Sequence, residues 1–271
     1  MDHLRFTILG CGSSGGVPRL GGEGLGADWG ACNPANPKNR RSRCSLLIER
    51  RTAGGVTRVL IDTTPDMRSQ LLAANVGVLD AVVFTHSHAD HTHGIDDLRQ
   101  VVFNIHRRLP VWADPPTQEA LIARFGYAFV QPKGSPYPPI LELNTIGEAP
   151  FQIDGAGGTV ELMPFLCDHG SMDALGFIVG GLAYLPDAVA IPEAHWPLLN
   201  GLRVFVVDAL RRKPHATHAH LAMTLDWISR CAPERAVLTN MHNDLDYDEL
   251  CAELPPNVQP AYDGLVIELS A

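Results

Sequence analysis

Thr85-His86-Ser87-His88-Ala89-Asp90-His91 decides how the rest of the chain is read. The apolar run Ala81-Val82-Val83-Phe84 precedes it and reads as a buried strand. After it, Thr92-His93-Gly94-Ile95-Asp96-Asp97-Leu98-Arg99 reads as a turn entering a helix. Three imidazoles and a carboxylate therefore crowd the exit of one strand. Side chains alternate faces in extended backbone, so His86 and His88 project to the same side. As the chain turns, Asp90 and His91 can swing back toward them. Imidazole nitrogen and carboxylate oxygen are donors that Zn(II) or Mn(II) accept. A polar turn rarely repeats imidazole this densely. The HxHxDH spacing reads as a metal site, and donors this close together usually serve more than one ion.

The totals bound what such a site can belong to. A chain of 271 residues has ample length for a large core, in one large domain or two small ones. Hydrophobic content of 45% and charged content of 19% are those of a globular protein. The net charge of -9 leaves no broad basic face, so long nucleic acid is not an expected partner. A small anionic substrate is compatible, because bound divalent ions reverse the local field. The six cysteines (Cys11, Cys32, Cys44, Cys167, Cys231 and Cys251) form no C-x-x-C pair and read as reduced thiols. Met1-Asp2-His3-Leu4-Arg5 shows no signal-peptide apolar stretch, and no apolar run approaches the roughly 20 residues that span a bilayer. A cytoplasmic protein without membrane contact is expected.

Along the chain, Arg5 to Leu9 reads as a first strand ending in the glycine-rich loop Gly10 to Pro18. No helix pattern or Lys-Ser/Thr follows that loop, so tight backbone packing is a better reading than a phosphate cradle. Leu20 to Asn39 is an irregular excursion rich in Gly, Pro and Asn. Arg40, Arg41 and Arg43 then concentrate positive charge; a solvated turn explains them, and so does a guanidinium that clamps phosphate. Strands are read at 44–49 and 59–62, and a helix at 67–74 with Thr64 as cap before Pro65. After the motif come a helix through Arg108, a strand around Val111 and a helix from Thr117 to Phe125. Gly126 to Pro139 carries Tyr127, Phe129, Tyr137 and four prolines. It suits a lid or a base-stacking wall; edge packing or a subunit contact, and with it a homodimer, fits as well.

The second half repeats strands at 140–143, 151–153, 160–162, 175–179, 182–185 and 204–207, then a helix at 220–231 and closing strands at 236–238 and 265–268. No linker or repeat interrupts it, so a single domain over 1–271 is the simplest account. Polar residues recur just past these strands: Asp168-His169, Asp187, Asp208, the run His215, His218 and His220, and Asn240-Met241-His242-Asn243. An isolated histidine after a strand is ordinarily a surface residue. The agreement of these with an earlier HxHxDH changes that.

With these residues in place, the sequence resembles the metallo-β-lactamase superfamily, from Ile8-Leu9-Gly10-Cys11-Gly12 through Thr239-Asn240-Met241-His242. The resemblance implies an α/β fold, the αββα sandwich of two mixed sheets with helices on the outer faces, and a two-metal site. It also implies the ligands: His86, His88 and His169 for one ion, Asp90, His91 and His242 for the second, and Asp187 bridging. The last ligand of the family commonly follows a Leu-Thr pair directly; that position here is Asn240, and His242 is the imidazole at hand. Within the superfamily the likeness is to the PhnP-type phosphodiesterases of the carbon–phosphorus lyase pathway, on Gly10-x-Gly12, the Arg-rich segment before Ser45, Gly94, Leu98-Arg99 and His218. Those enzymes also carry a structural zinc on early cysteines. Only Cys32 lies in that loop, so none is expected here.

The implied function is hydrolysis of small phosphodiesters, such as ribosyl or nucleoside cyclic phosphates, by a hydroxide bridging two divalent ions, Zn or Mn. Asp90 and Asp187 would belong to the catalytic centre. By the resemblance His218 would protonate the leaving alkoxide, with His215 and His220 as alternatives. Arg40, Arg41 or Arg43 would grip the phosphate, His220 would contact substrate, and Tyr127, Phe129 or Tyr137 would stack on a base. The expected partner is a small phosphorylated or nucleotide-like molecule. Other readings are an ester, thioester or RNA-processing hydrolase of the same fold, an oxidative protein like that of pyrroloquinoline quinone biosynthesis, and a metal or nucleotide binder without turnover.

Overall fold

A computed structural model of the chain describes residues 2–21, 24 and 26–270. Met1, and Gly22, Glu23 and Leu25 of the early excursion, lie outside the described residues. The first part of the chain forms β1 (His3–Gly10), β2 (Arg19–Leu20), β3 (Ala27–Asp28), β4 (Ser45–Thr52), β5 (Gly55–Ile61), α1 (Met67–Ala73), β6 (Ala81–Val83) and α2 (Ala89–Thr92). Next come α3 (Leu98–Ile105), β7 (Leu109–Ala113), α4 (Pro115–Phe129), β8 (Leu141–Thr145), β9 (Phe151–Ile153) and β10 (Val160–Asp168). The last part forms β11 (Asp173–Val179), β12 (Leu182–Leu185), β13 (Val204–Asp208), α5 (Leu221–Cys231), β14 (Arg235–Thr239), α6 (Tyr247–Glu253), β15 (Val258–Pro260) and β16 (Val266–Ser270). Two seven-stranded sheets result, in the orders β16-β1-β4-β5-β6-β7-β8 and β15-β14-β13-β12-β11-β10-β9. Both are mixed, so the α/β class that the resemblance implies is the one observed.

The backbone divides into two compact units, each drawn from separate stretches of sequence. The first comprises Met1–Leu9, Ser45–Pro164 and Val266–Ala271. Its β4–β5 hairpin is antiparallel, whereas β5, β6, β7 and β8 run parallel. A parallel strand between neighbours is apolar on both faces, which is why Ala81-Val82-Val83 is wholly buried. Met67 and Leu71 of α1, and Leu98 and Val101 of α3, pack with Leu60, Val82 and Val111 in this unit's core. Their spacings of four and three residues put each pair on one helix face.

The second unit comprises Gly10–Cys44 and Phe165–Leu265. Here β11–β12 is antiparallel, and β12, β13, β14 and β15 run parallel. Val204-Phe205-Val206-Val207 is buried on both faces for the same reason as β6. Leu221, Thr224, Ile228 and Cys231 form the buried face of α5.

Three local expectations change. The helix foreseen at 117–125 begins at Pro115, where Asp114 accepts from the Thr117 amide at 3.1 Å. It continues past Gly126 to Phe129 by bending at Phe125 (φ -129°), so the aromatic stretch starts as helix and becomes a loop only after it. Thr64 Oγ1 accepts from Asp66 N at 3.0 Å and lies two residues before the cap position, which Asp66 takes. Short α6, capped by Asp246, has no apolar periodicity long enough to have been foreseen. Among the described residues, no helix is long and apolar enough to cross a membrane.

Candidate metal centre

In open parallel sheets, functional side chains collect just past the carboxyl ends of the strands. Each unit obeys this. In the first, Asp62 follows β5 and His86 lies three residues past β6. Asp62 adopts left-handed backbone (φ 63°) and is fully buried. Its carboxylate accepts from Thr85 N and Thr85 Oγ1, both at 2.8 Å, which ties the start of the motif to the end of β5. The same carboxylate lies 2.8 Å from His91 Nδ1. Burial raises the Asp62 pKa, against the lowering pull of His91.

The motif folds back as its spacing suggests. His86 Nε2 lies 3.0 Å from His88 Nδ1, and the ring centres of His86 and His91 are 4.3 Å apart. His91 Nε2 is 3.5 Å from Asp90 Oδ2. The turn closes because Gly94 N donates to Thr63 O at 2.9 Å, an approach in which a Cβ at Gly94 would overlap the Thr64 carbonyl. Asp62 was read only as the end of a strand. The acidic residue that closes an apolar run is a signal for it, but one many strand ends share.

In the second unit the register aligns Leu185 with Val207 and Asp208 with Thr239, so Asp187, Asp208 and Asn240 fall at one level of neighbouring strand ends. His169 Nδ1 donates to Thr217 O at 2.7 Å, leaving Nε2 with the lone pair. Gly170 (φ 82°) makes that approach feasible, since a Cβ there would collide with the Thr217 side chain. Donor atoms of His169, Asp187 and His218 lie within 4.8 Å of one another. His218 Nδ1 is 3.0 Å from Asp208 Oδ2 and 3.4 Å from Asp187 Oδ1. Asp208 is fully buried and burial raises its pKa, against the lowering pull of His218.

Both units therefore present an imidazole oriented by an outer hydrogen bond, the usual support of a metal ligand. Buried nitrogen and carboxylate donors of this kind suit a divalent ion such as Zn(II) or Mn(II).

Other expected residues take varied places. His242 is half-buried, with Arg19 Nη1 2.6 Å from its Nε2 and Asp244 Oδ1 3.6 Å from its Nδ1. His220 precedes α5 and accepts the Thr224 amide through its carbonyl at 3.0 Å. Burial lowers the His215 pKa, helped by His218 and Arg211. Arg41 is buried and donates to Leu245 O at 2.7 Å and His242 O at 3.3 Å, so its charge holds loops together. Arg40 is exposed and stacks over Trp29, and Arg43 Nε donates to Ser14 O at 3.3 Å. Tyr127 and Tyr137 share a cavity of about 140 Å³ with Arg99, Pro132 and Pro138. Tyr127 donates to Asp96 at 2.9 Å, and Arg124, one turn earlier on α4, donates to the Ser87 carbonyl inside the metal motif. Arg19 and Arg124 were not foreseen; single arginines in loops and helices carry no spacing signal.

Comparison with known proteins agrees with this fold. The model of a "beta-lactamase superfamily domain" matches residues 57–241. A crystal structure of a diphosphatase from the PhnP family superposes with a TM-score of 0.87 at 33% identity, covering 99% of this chain and 98% of that one. Zn(2+)-bound PqqB from Methylobacterium extorquens shares the fold at a TM-score of 0.73 and 16% identity, over 98% and 100% of the two chains. An octanoyltransferase from Porphyromonas gingivalis is 35% identical over 267 residues, which are 97% of this chain and 51% of that protein. The chain thus spans about half the length of that curated relative. It belongs to the metallo-β-lactamase superfamily and is akin, within it, to the PhnP family.

Proposed function

We propose that the chain is a metal-dependent hydrolase of small phosphodiesters, cyclic phosphates included. The observation that carries this reading is His218, held by buried Asp208 at 3.0 Å and grouped with His169 and Asp187. Hydrolysis of an alkyl phosphodiester expels a basic alkoxide, which needs a proton delivered as the bond breaks. An imidazole titrating near neutrality can deliver it. The Asp208 carboxylate fixes the ring through Nδ1, so the proton is carried at Nε2. In this proposal divalent metal would be held by His86, His88, Asp90 and His91 in the first unit, and His169 and Asp187 in the second would serve as metal donors there. When bound, such ions offset phosphoryl charge and lower the pKa of water to near neutrality.

Tyr127 and Tyr137 support a substrate with a flat ring, since a cavity of roughly 150 Å³ accepts benzene and theirs measures about 140 Å³. The net charge of -9 favours a small molecule over long nucleic acid. Similarity to a PhnP-family diphosphatase supports hydrolysis at phosphorus. Octanoyl transfer is the name of a protein of which about half lies outside the match, and it is not carried over.

The test is hydrolysis of bis(p-nitrophenyl) phosphate by protein stripped of metal and reloaded with Mn(II) or Zn(II). Turnover restored by metal and abolished in Asp187→Ala is expected. Metal-loaded protein without turnover on this and on cyclic nucleotides would refute the phosphodiesterase.

A further inference from the structure

The ligand set implied by the superfamily resemblance does not fit the second unit at its last position. Arginine is a donor only and stays charged at every accessible pH. With Arg19 Nη1 2.6 Å away, His242 Nε2 must therefore be the acceptor. The ring is then neutral, with Nδ1–H turned toward Asp244 Oδ1 at 3.6 Å. A metal ion at Nε2 would have to displace that charge-assisted bond and lie against a guanidinium.

Asn240 stands where the family commonly has its ligand, and it faces the site the wrong way round for a cation. Its Nδ2 lies 3.1 Å from Asp187 Oδ1 and 3.2 Å from Asp208 Oδ1. An amide oxygen turned toward two carboxylates would be repelled, so chemistry fixes the NH₂ inward. Its two N–H bonds match the two carboxylates. His218 Nδ1, 3.1 Å away, is left to donate to Asp208. The residue is buried in left-handed backbone (φ 59°), a conformation asparagine tolerates better than most side chains.

We propose that Arg19 and Asn240 withhold the second ion: His242 is Arg19's hydrogen-bond partner rather than a metal ligand, and the chain retains one divalent ion firmly. Of the second ion's expected donors in this unit, only Asp187 remains, and one of its oxygens already accepts from Asn240. The inference rests on the metal-centre reading, and the count of ions separates the two.

Full-length protein is equilibrated with Zn(II) or Mn(II), desalted, and its metal measured by elemental mass spectrometry, with circular dichroism as the check on folding. One ion per chain is expected in the wild type and equally in His242→Ala and His242→Gln, with the Mn(II) form giving the spin-resonance spectrum of isolated ions. Arg19→Ala combined with Asn240→His is expected to raise the count toward two. Two ions in the wild type, falling to one in the His242 variants, would overturn the proposal while leaving the metal centre standing. A count still at one in the double variant would show that neither residue withholds the site. No retained metal in any form would sink the metal-centre reading and this inference with it.

Discussion

Both units use a buried aspartate at a strand end to grip an imidazole through Nδ1, yet the two pairs are built for different work. Asp62 is pinned by the amide and hydroxyl of Thr85, inside the loop whose histidine it orients. Its hydrogen bonds tie Asp62, Thr85 and His91 together across the start and end of the HxHxDH run. Asp208 is pinned by Asn240 from the neighbouring strand and by the Ala188 amide at 3.2 Å, and its histidine lies on a separate loop. In the proposed function, the first arrangement would hold a metal ligand in place. The second would set the proton donor His218 on a loop separate from the strand end that carries its carboxylate.

His218→Ala should have the largest effect, lowering turnover on a nucleoside cyclic phosphate, whose leaving alkoxide is basic, by about two to four powers of ten with retained metal unchanged. Loss of metal instead would make His218 a ligand and erase the contrast. Next come the two carboxylates. Asp62→Asn should weaken metal affinity by roughly 10- to 100-fold while saturating metal restores most of kcat. Asp208→Asn should lower kcat by a similar factor and spare metal affinity. Equal behaviour of the pair in both assays would break the comparison.

The half-buried carboxylate of Asp263 braces the second unit by accepting from Ser42 N and Ser42 Oγ, both at 2.7 Å. Burial pushes its pKa up to about 6, ahead of the lowering effect of those bonds. The folded state then holds this proton more tightly than the unfolded chain does. Its contribution is full below the ordinary aspartate value of about 3.9 and is lost as pH rises toward 6. Denaturant titrations should show Asp263→Asn lacking that fall, on the order of 1–3 kcal/mol. The smallest effect is expected at exposed Tyr137, where Ala should raise KM severalfold for a base-bearing substrate and leave kcat nearly unchanged.

These contrasts also explain what could be read before the structure. The first unit's donors are contiguous in sequence, so a six-residue pattern after an apolar run disclosed them. The second unit's donors become neighbours only through the register of β12, β13 and β14, which single residues such as Asp187 do not advertise. Resemblance to a family supplied those. It could not supply Arg19, Asp62 or Asn240's inward-facing amide, because each acts through a hydrogen bond that exists only once distant loops have met. The fold was more legible, since buried parallel strands keep their apolar runs wherever they pair. Bends such as Phe125 depend on packing and were not.

The pairing of β1 with β16 sets a schedule for synthesis. His3 lies opposite Ser270 and Thr7 opposite Val266, so β16, the edge strand of the first sheet, is made roughly 260 residues after the strand it covers. At roughly 5–20 residues per second, β1 waits on the order of ten seconds to a minute with one side unpaired. Open strand edges of this kind recruit other chains. Nascent protein stalled just short of Val266 should therefore associate with chaperones or aggregate, and synthesis of β16 should end that vulnerable interval.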